Sequence, residues 1–236
     1  MTDRTARIPP WLGRMALEFG VVMLGVFAAL WADGWMTQRS DRAVEVARLG
    51  ALRENLDRTL AALREQRDGV DSAARSLRLL AATEGRGAAD AELRSLLLDG
   101  VFFAPDFVPE LNVYADLKSS GELALLTDER VRSGLALMDQ RLERTMLLQQ
   151  DLITVQQLNV DRYSIERIDF LPLIGPELGV PGAEPGRLEL DFLREREFRN
   201  VVLLKLDLLV QATVHFTRLE ETFEQVARAI DDQLGS

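Results

Sequence analysis

The chain has 236 residues, with 28 Lys and Arg against 38 Asp and Glu, one His and no Cys. This length suits a single domain, or two small ones, with a sizeable core. The absence of cysteine from the sequence excludes a disulfide scaffold, thiolate metal sites and cysteine nucleophiles. The formal net charge of −10 argues against a nucleic-acid-binding protein, because affinity for phosphate backbones depends on a clustered positive surface.

An apolar segment near the N-terminus decides which class of protein the sequence predicts. After a polar tail, Pro10 suits the first turn of a helix, and residues 15–32 then contain a single charge, Glu18. With the preceding turn, this helix is long enough to cross a hydrocarbon layer of about 30 Å. Tryptophan favours the headgroup level of a bilayer, and the tryptophans of the chain lie at the two ends of the segment: Trp11, Trp31 and Trp35.

Three interpretations of this segment compete: an uncleaved membrane anchor, a cleaved signal peptide and a buried helix. The residues Val26-Phe27-Ala28 offer a cleavage site, but Glu18 interrupts the apolar region that a signal peptide needs. We therefore predict a tail and transmembrane anchor over residues 1–35 and an extramembrane helical domain over 36–236, in the cytoplasmic (inner) membrane. Basic residues flank the anchor almost evenly, which leaves the orientation open. A short charged tail followed directly by a span is the usual signal-anchor layout, and a domain without cysteine suits the periplasm, so we expect the domain on the periplasmic side.

Glu18 is the unusual residue of the predicted anchor, because a carboxylate inside a span is costly unless it pairs or snorkels. It lies one helical turn from Arg14, and the two can pair near the headgroups. The alternative is a role in helix association. Small residues spaced four apart would let two anchors approach closely and favour a homodimer: Ala16 with Gly20, and Gly25 with Ala29.

A long helix follows the anchor. Its apolar residues recur in steps of three and four, in the heptad-like pattern of a coiled coil. This seam consists of Leu49, Leu52, Leu56, Leu60, Leu63, Val70, Ala74, Leu77 and Leu80. We predict that the helix ends near Thr83 and breaks or bends at Gly69. A seam of this length must be buried, either against later helices of the chain or against a second copy.

A loop over 84–89 and a short helix through Leu93, Leu96 and Leu97 follow the long helix. The segment 101–109 then places three phenylalanines and two prolines in one turn. We interpret this turn as a cap on the end of the bundle. The alternative is an exposed aromatic patch that binds a partner.

A corner between two helices is specified in detail by residues 112–132. The first helix passes through Tyr114, has Lys118 in its last turn and ends at Gly121, because glycine tolerates the left-handed conformation. Thr127 is predicted to cap the next helix, which runs to about Ile168. Its predicted apolar face is Val131, Leu135, Met138, Leu142, Leu148, Leu152, Val155 and Leu158.

The C-terminal part consists of a loop and one long helix. The loop spans 169–189, contains four prolines and is long for a bundle connection. Asp191 is predicted to cap the last helix, which carries the clearest amphipathic pattern of the chain. Its stripe is Phe198, Val202, Leu209, Ala212, Phe216, Leu219, Phe223, Val226 and Ile230. The predicted fold is therefore an all-α antiparallel bundle, in which the last helix packs back on the first.

Two patches carry a family resemblance. The first runs from Glu18 to Trp35 and continues into a charged helix. The second is Tyr114-Ala115-Asp116-Leu117-Lys118-Ser119-Ser120-Gly121-Glu122-Leu123, followed by Leu126 and the helix start at 128–132. In these patches the chain resembles an uncharacterised bacterial family of single-span membrane proteins, defined only as a domain of unknown function. Ala32, Asp33 and Gly34 stand where that family tends to have Asn-rich polar residues. The resemblance implies a topology and no particular activity.

The sequence offers no recognisable catalytic motif. His215, the one histidine, has Glu220 five residues on, which is not a spacing that places both on one helix face, so we interpret it as a partly buried structural residue. Ser119 and Ser120 have no nearby residue that would activate them. Glu220, Glu221 and Glu224 are interpreted as a solvated acidic face. We predict no enzymatic activity, no cofactor and no metal site.

The predicted function is interaction. We expect a membrane-anchored scaffold or adaptor whose partners are the lipid bilayer and either a second copy or another helical membrane protein. The alternative is a membrane-tethered bundle that senses a small molecule or peptide near the corner and the loop over 169–189. The residues predicted to interact are Glu18, Tyr114, Lys118, Ser119, Ser120 and Gly121, and those predicted to set the anchor are Trp11, Arg14, Trp31 and Trp35.

Overall fold

A computed structural model describes residues 10–84, 86, 89–184, 188 and 191–235, apart from the side chains of 10–18, 20–22 and 32–41. Within these residues the chain is helical and contains no β-strand, which confirms the predicted all-α class. The α-helices are α1 (Pro10–Thr83), α2 (Asp90–Leu96), α3 (Asn112–Ser120), α4 (Glu129–Val155), α5 (Arg162–Arg167), α6 (Phe170–Ile174) and α7 (Arg196–Gly235). Further helical turns are the π segments Leu97–Val101 and Gln156–Asp161 and the 3-10 turns Glu122–Leu125 and Asp191–Arg194.

Two compact units divide the chain, Met1–Gly50 and Ala51–Ser236. The predicted boundary after residue 35 concerns a membrane anchor, which this division does not test. In the part of the chain that the structure describes, no helix combines the length and apolar character needed to cross a membrane. Several residues named for the anchor lie outside the described side chains: Trp11, Arg14, Glu18 and Trp35. Trp31 is described, and it is 76% exposed.

The seam of α1 is confirmed, because all nine of its residues from Leu49 to Leu80 are buried. The predicted break at Gly69 is wrong, since α1 continues through this position to Thr83. A Cβ atom at Gly69 would lie 3.1 Å from Cε2 of Phe103. The glycine therefore makes room for an aromatic ring against the helix.

The last helix, α7, packs antiparallel to the part of α1 that follows Gly50. Arg53 pairs with Asp231 at 2.8 Å, and Arg64 pairs further along with Glu220 at 2.8 Å. Residue numbers thus fall along α7 as they rise along α1, which confirms the predicted closure of the bundle. All nine residues of the predicted α7 stripe are buried.

The acidic cluster on α7 is not simply a solvated face. Glu220 is buried, accepts from Arg64 Nε at 2.8 Å and also pairs with Arg67. Glu224 accepts from the other end of the Arg64 guanidinium at 2.6 Å. The interpretation of this cluster from sequence was wrong for Glu220, because the arginines that neutralise it come from α1, 156 and 153 residues earlier.

The other flank of α7 is covered by α4. A Cβ atom at Gly134 of α4 would lie 2.9 Å from Cγ2 of Val226, so the two helices approach closely at this point. Nearby, Arg141 donates to the hydroxyl of Thr222 at 2.6 Å and to the carbonyl of Arg218 at 2.7 Å. These contacts also run antiparallel. The core therefore lies between α7 on one side and α1 and α4 on the other.

The aromatic segment 101–109 packs against the bundle. The ring of Phe107 is buried edge-on against Phe216 of α7 with 5.9 Å between centroids, while Phe102 lies 5.5 Å from Phe170. Phe103 packs at Gly69. These contacts agree with a cap on the bundle, although Val108 within the segment is exposed.

The predicted helix from the corner to Ile168 is interrupted by a π segment at 156–161. A π turn contains more residues than an α turn, so the buried face rotates. Leu152 is buried as predicted, but Gln156 and Val160 follow it into the core and Leu158 is exposed. The predicted position of Leu158 on the apolar face was therefore wrong.

The predicted loop over 169–189 contains the short helix α6, which Asp169 caps by accepting from the backbone N–H of Leu171 at 3.0 Å. Asp191 begins a 3-10 turn over Asp191–Arg194, and α7 begins later, at Arg196. The prediction that Asp191 caps the last helix was wrong, because this intervening turn separates the two.

Candidate functional site

The corner between α3 and α4 is built as the sequence predicts, apart from one cap. Gly121 ends α3 with φ +78°, in the left-handed region that favours glycine. The cap of α4 is Asp128, whose carboxylate accepts from the N–H of Arg130 at 2.7 Å. Thr127 was predicted in this role, but its hydroxyl accepts from the side chain of Gln233 at 2.9 Å. The cap therefore lies one residue later than predicted, and Thr127 contacts α7.

Replacing Gly121 with Val should lower the free energy of unfolding by about 1 kcal/mol, because a β-branched residue is strained at positive φ. A Cβ atom at this position would meet nothing within 4 Å, so the effect isolates backbone strain. Urea denaturation followed by circular dichroism measures the change. Gly121→Asn is the matched control, since asparagine tolerates this conformation and should cost less. Equal stability of the Gly121→Val variant and the wild-type protein would contradict the role given to Gly121.

Lys118 and Tyr114 of α3 both meet Asp139 of α4. The Nζ of Lys118 lies 2.6 Å from Oδ2 of Asp139 and 5.8 Å from the centroid of the Tyr114 ring. Burial, together with the negative charge and the hydrogen bond of Asp139, raises the pKa of Tyr114 to about 12. Tyr114 therefore stays neutral and donates to Asp139. This contact fixes α3 against α4 and leaves the ammonium of Lys118 at the surface.

The hydroxyls of Ser119 and Ser120 form hydrogen bonds with the backbone at the C-terminal end of α3. Ser119 donates to the carbonyl of Asp116 at 3.1 Å, and Ser120 donates to that of Leu117 at 3.4 Å. Ser120 also accepts from the N–H of Glu122 at 3.4 Å. No side chain that could remove a proton takes part in these bonds, so the arrangement has the chemistry of a helix cap.

The corner presents a polar surface. Four successive residues, 118–121, are exposed, and Leu125 beside them is 74% exposed. The pair of Lys118 with Asp139 is open to solvent and contributes little stability, so both groups are available for a partner's charges. Whether the predicted site residues bind a partner stays a prediction.

A buried lysine, Lys205, forms a second polar centre that the sequence-based prediction missed. Lys205 lies on α7 within the core and is 1% exposed. Its Nζ donates to the carbonyl oxygens of Val101 at 2.5 Å and Phe103 at 2.6 Å, and to Oε1 of Gln156 at 2.5 Å. Burial lowers the pKa of Lys205 to about 7, which the charge of Asp161 opposes.

Lys205 connects the two π segments. Val101 ends the segment 97–101, where helix carbonyls lack partners and a positive charge is favoured. Gln156 begins the segment 156–161, and its Nε2 donates to Asp161 at 2.7 Å. The sequence contains one indication of this centre: the chain has only two lysines, Lys118 and Lys205, and Lys205 occupies a stripe position of α7, three residues after Val202 and four before Leu209.

The other groups considered for chemistry lie apart from these centres. His215 is half-buried on α7, and burial and the charges of Arg144 and Arg218 lower its pKa. In the part of the chain that the structure describes, no group of three or more acidic or histidine side chains could hold a metal ion. An apolar cavity of about 80 Å³ lies between α1 and α7, lined mainly by Leu80, Phe198 and Val202.

Comparisons of the chain with models of protein families, with curated proteins and with solved structures gave no match. The resemblance to a family of single-span membrane proteins therefore stays a prediction.

Proposed function

We propose that the chain is a membrane-tethered helical scaffold or adaptor, which binds a partner through the corner of its bundle. The observation that carries the proposal lies on α1. Residues 23–31 are all apolar or small, and all nine are exposed. Nine residues of an α-helix cover every direction around its axis, so α1 is apolar on all sides here. A helix that is apolar all round requires burial in a large core or in a membrane.

Several features of the sequence support a membrane as that environment. The exposed stretch lies inside the apolar segment 15–32, and Trp31 lies near the end of that segment, where a tryptophan suits the headgroup level. The proposal places the protein in the cytoplasmic membrane with the helical domain on the periplasmic side. A second copy or another helical membrane protein would pack along the small residues of the span.

The corner supports interaction more than ligand sensing. Tyr114, which would have to line a ligand site together with Lys118, is buried and contacts Asp139 of the same bundle. The surface that remains is the exposed stretch 118–121 with Leu125, which suits contact with a protein.

Membrane fractionation of cells that express the full chain tests the tether. The wild-type protein should sediment with membranes and resist extraction by alkaline carbonate. Leu24→Lys combined with Phe27→Lys should release it into the soluble fraction, because each lysine near the centre of a span costs about 3 kcal/mol. Leu203→Lys with Leu204→Lys is the matched control, since these residues are also exposed but lie on α7. Wild-type protein found in the soluble fraction would contradict the proposal.

An affinity pull-down from gently solubilised membranes, analysed by mass spectrometry, tests the partner. A protein recovered with the wild-type chain should be lost when Lys118, Ser119 and Ser120 are all changed to Ala. Recovery of the chain alone from both samples would contradict an adaptor role and leave a self-contained oligomer.

A further inference from the structure

The environment of Lys205 supplies acceptors for all of its hydrogen bonds but no adjacent negative charge among the described residues. An ammonium has three N–H donors, and Lys205 uses them on Val101, Phe103 and Gln156. All three acceptors are neutral. The one described group that acts on Lys205 through its charge is Asp161, which is separated from it by the amide of Gln156. A buried ammonium without an adjacent counter-charge favours its neutral form.

The elements around Lys205 add no second counter-charge among the described residues. The segment 101–103 contributes backbone carbonyls, and its Phe103 ring lies against Gly69 of α1. The segment 156–161 contributes Gln156 and Asp161. On α7 itself, Asp207 is exposed, on the side away from the core. Burial therefore opposes the charge of Lys205, while its three neutral acceptors and the more distant Asp161 are the described groups that favour it.

Both segments that hold Lys205 are locally irregular. Each contains a π turn, in which backbone hydrogen bonds shift by one residue relative to an α-helix, and such turns are frequent at functional sites. Each segment also connects to α7 through the same nitrogen atom. A movement that exposes Nζ to water would release the two segments together.

We propose that Lys205 couples the packing of segments 97–103 and 156–161 on α7 to pH. Binding of a proton by Lys205 loosens the packing of both segments. The direction of this pH effect follows from the linkage between proton binding and the opening of the two segments. Burial lowers the pKa in the closed form to about 7, against 10.5 for an exposed lysine, so the open form binds more protons between these values. The closed form is therefore increasingly favoured as pH rises from about 7 to about 10, and it loses that advantage as pH falls.

Few other described titratable groups change their charge between pH 7 and pH 10. The pKa of His215 is lowered by burial and by Arg144 and Arg218, so the residue is neutral above pH 7. The pKa of Tyr114 is raised by burial and Asp139, and that of Tyr163 by burial and Glu195, so both stay neutral below pH 10.

NMR of the full chain in detergent micelles, with lysine labelled at Cε, tests the proposal directly. Only two side-chain signals arise, from Lys118 and Lys205, and Lys118→Arg assigns them. Lys205 should titrate at least two pH units below 10.5, the value of an exposed lysine, which corresponds to at least a hundredfold shift towards the neutral form. A midpoint less than two units below that value overturns the proposal, and this measurement requires no change at Lys205.

Hydrogen exchange between pH 7 and 9.5, corrected for the intrinsic rate, tests the coupling. Amides of 97–103 and 156–161 should gain protection with rising pH, by up to about tenfold per unit, as one linked proton requires. Lys205→Met removes the titrating group and should make protection independent of pH. Constant or falling protection in the wild-type protein, or an unchanged slope in Lys205→Met, overturns the proposal.

Discussion

Changing Phe216 to Ala should lower the free energy of unfolding by about 4 kcal/mol, the cost of emptying the site of a large aromatic side chain in a core. Phe216 is 1% exposed and lies near the middle of the α7 stripe. It also anchors the aromatic segment through its edge-on contact with Phe107 at 5.9 Å. The loss therefore removes packing between α7 and the cap of the bundle. Urea denaturation followed by circular dichroism measures the change.

Leu204→Ala is the matched control for this variant. Leu204 lies on the same helix, about three turns before Phe216, but it is 45% exposed. Its truncation should cost no more than about 1 kcal/mol, because a surface position leaves no cavity. Similar losses in the two variants would show that α7 does not bury the face assigned to it.

Changing Gly134 to Leu should lower the free energy of unfolding by about 2 kcal/mol, since it overpacks the contact between α4 and α7. Even a Cβ atom at this position would lie 2.9 Å from Cγ2 of Val226, and valine has few rotamers with which to give way. The higher helix propensity of leucine, about 1 kcal/mol better than glycine, offsets only part of this cost. The measurement is the same denaturation experiment.

Val226→Ala provides the control for the close approach. It removes the methyl group that the new side chain would meet, so the double variant should be more stable than the sum of the single changes predicts, by about 1 kcal/mol. Strictly additive effects would place Gly134 and Val226 apart and contradict the packing of these helices.

The sequence predicts the long, regular parts of this fold well. The stripe from Phe198 to Ile230 and the seam from Leu49 to Leu80 are buried in full, because an amphipathic helix shows its buried face through periodicity alone. The corner at Gly121 is also predicted, since a left-handed residue has a strong local preference for glycine.

The failures occur where distant contacts override local preference. Gly69 does not break α1, because its role is to admit the ring of Phe103. Leu158 leaves the core because a π turn rotates the helix, and the periodicity of a regular α-helix does not anticipate it.

The candidate sites show the same contrast between features set by local sequence and features set by distant contacts. The residues of the corner could be placed on one helix end from sequence, but the partner of Lys118 and Tyr114 could not, since Asp139 belongs to the next helix. In the sequence, Lys205 stands out only as a lysine at a stripe position of α7, with no indication of its partners. Its carbonyl partners become visible only when α2 and its π segment are packed beside α7.

The scarcity of lysine makes the protein selectively reactive towards acylating reagents. A neutral amine attacks the carbonyl carbon of an activated ester and displaces its alcohol, but Lys205, at 1% exposure, is shielded inside the bundle. Lys118 lies at the surface of the corner with its ammonium beside Asp139. Apart from the terminal amine, a fluorophore or a crosslinker would thus attach to one side chain. Such a label would report from the surface at which we expect a partner to bind.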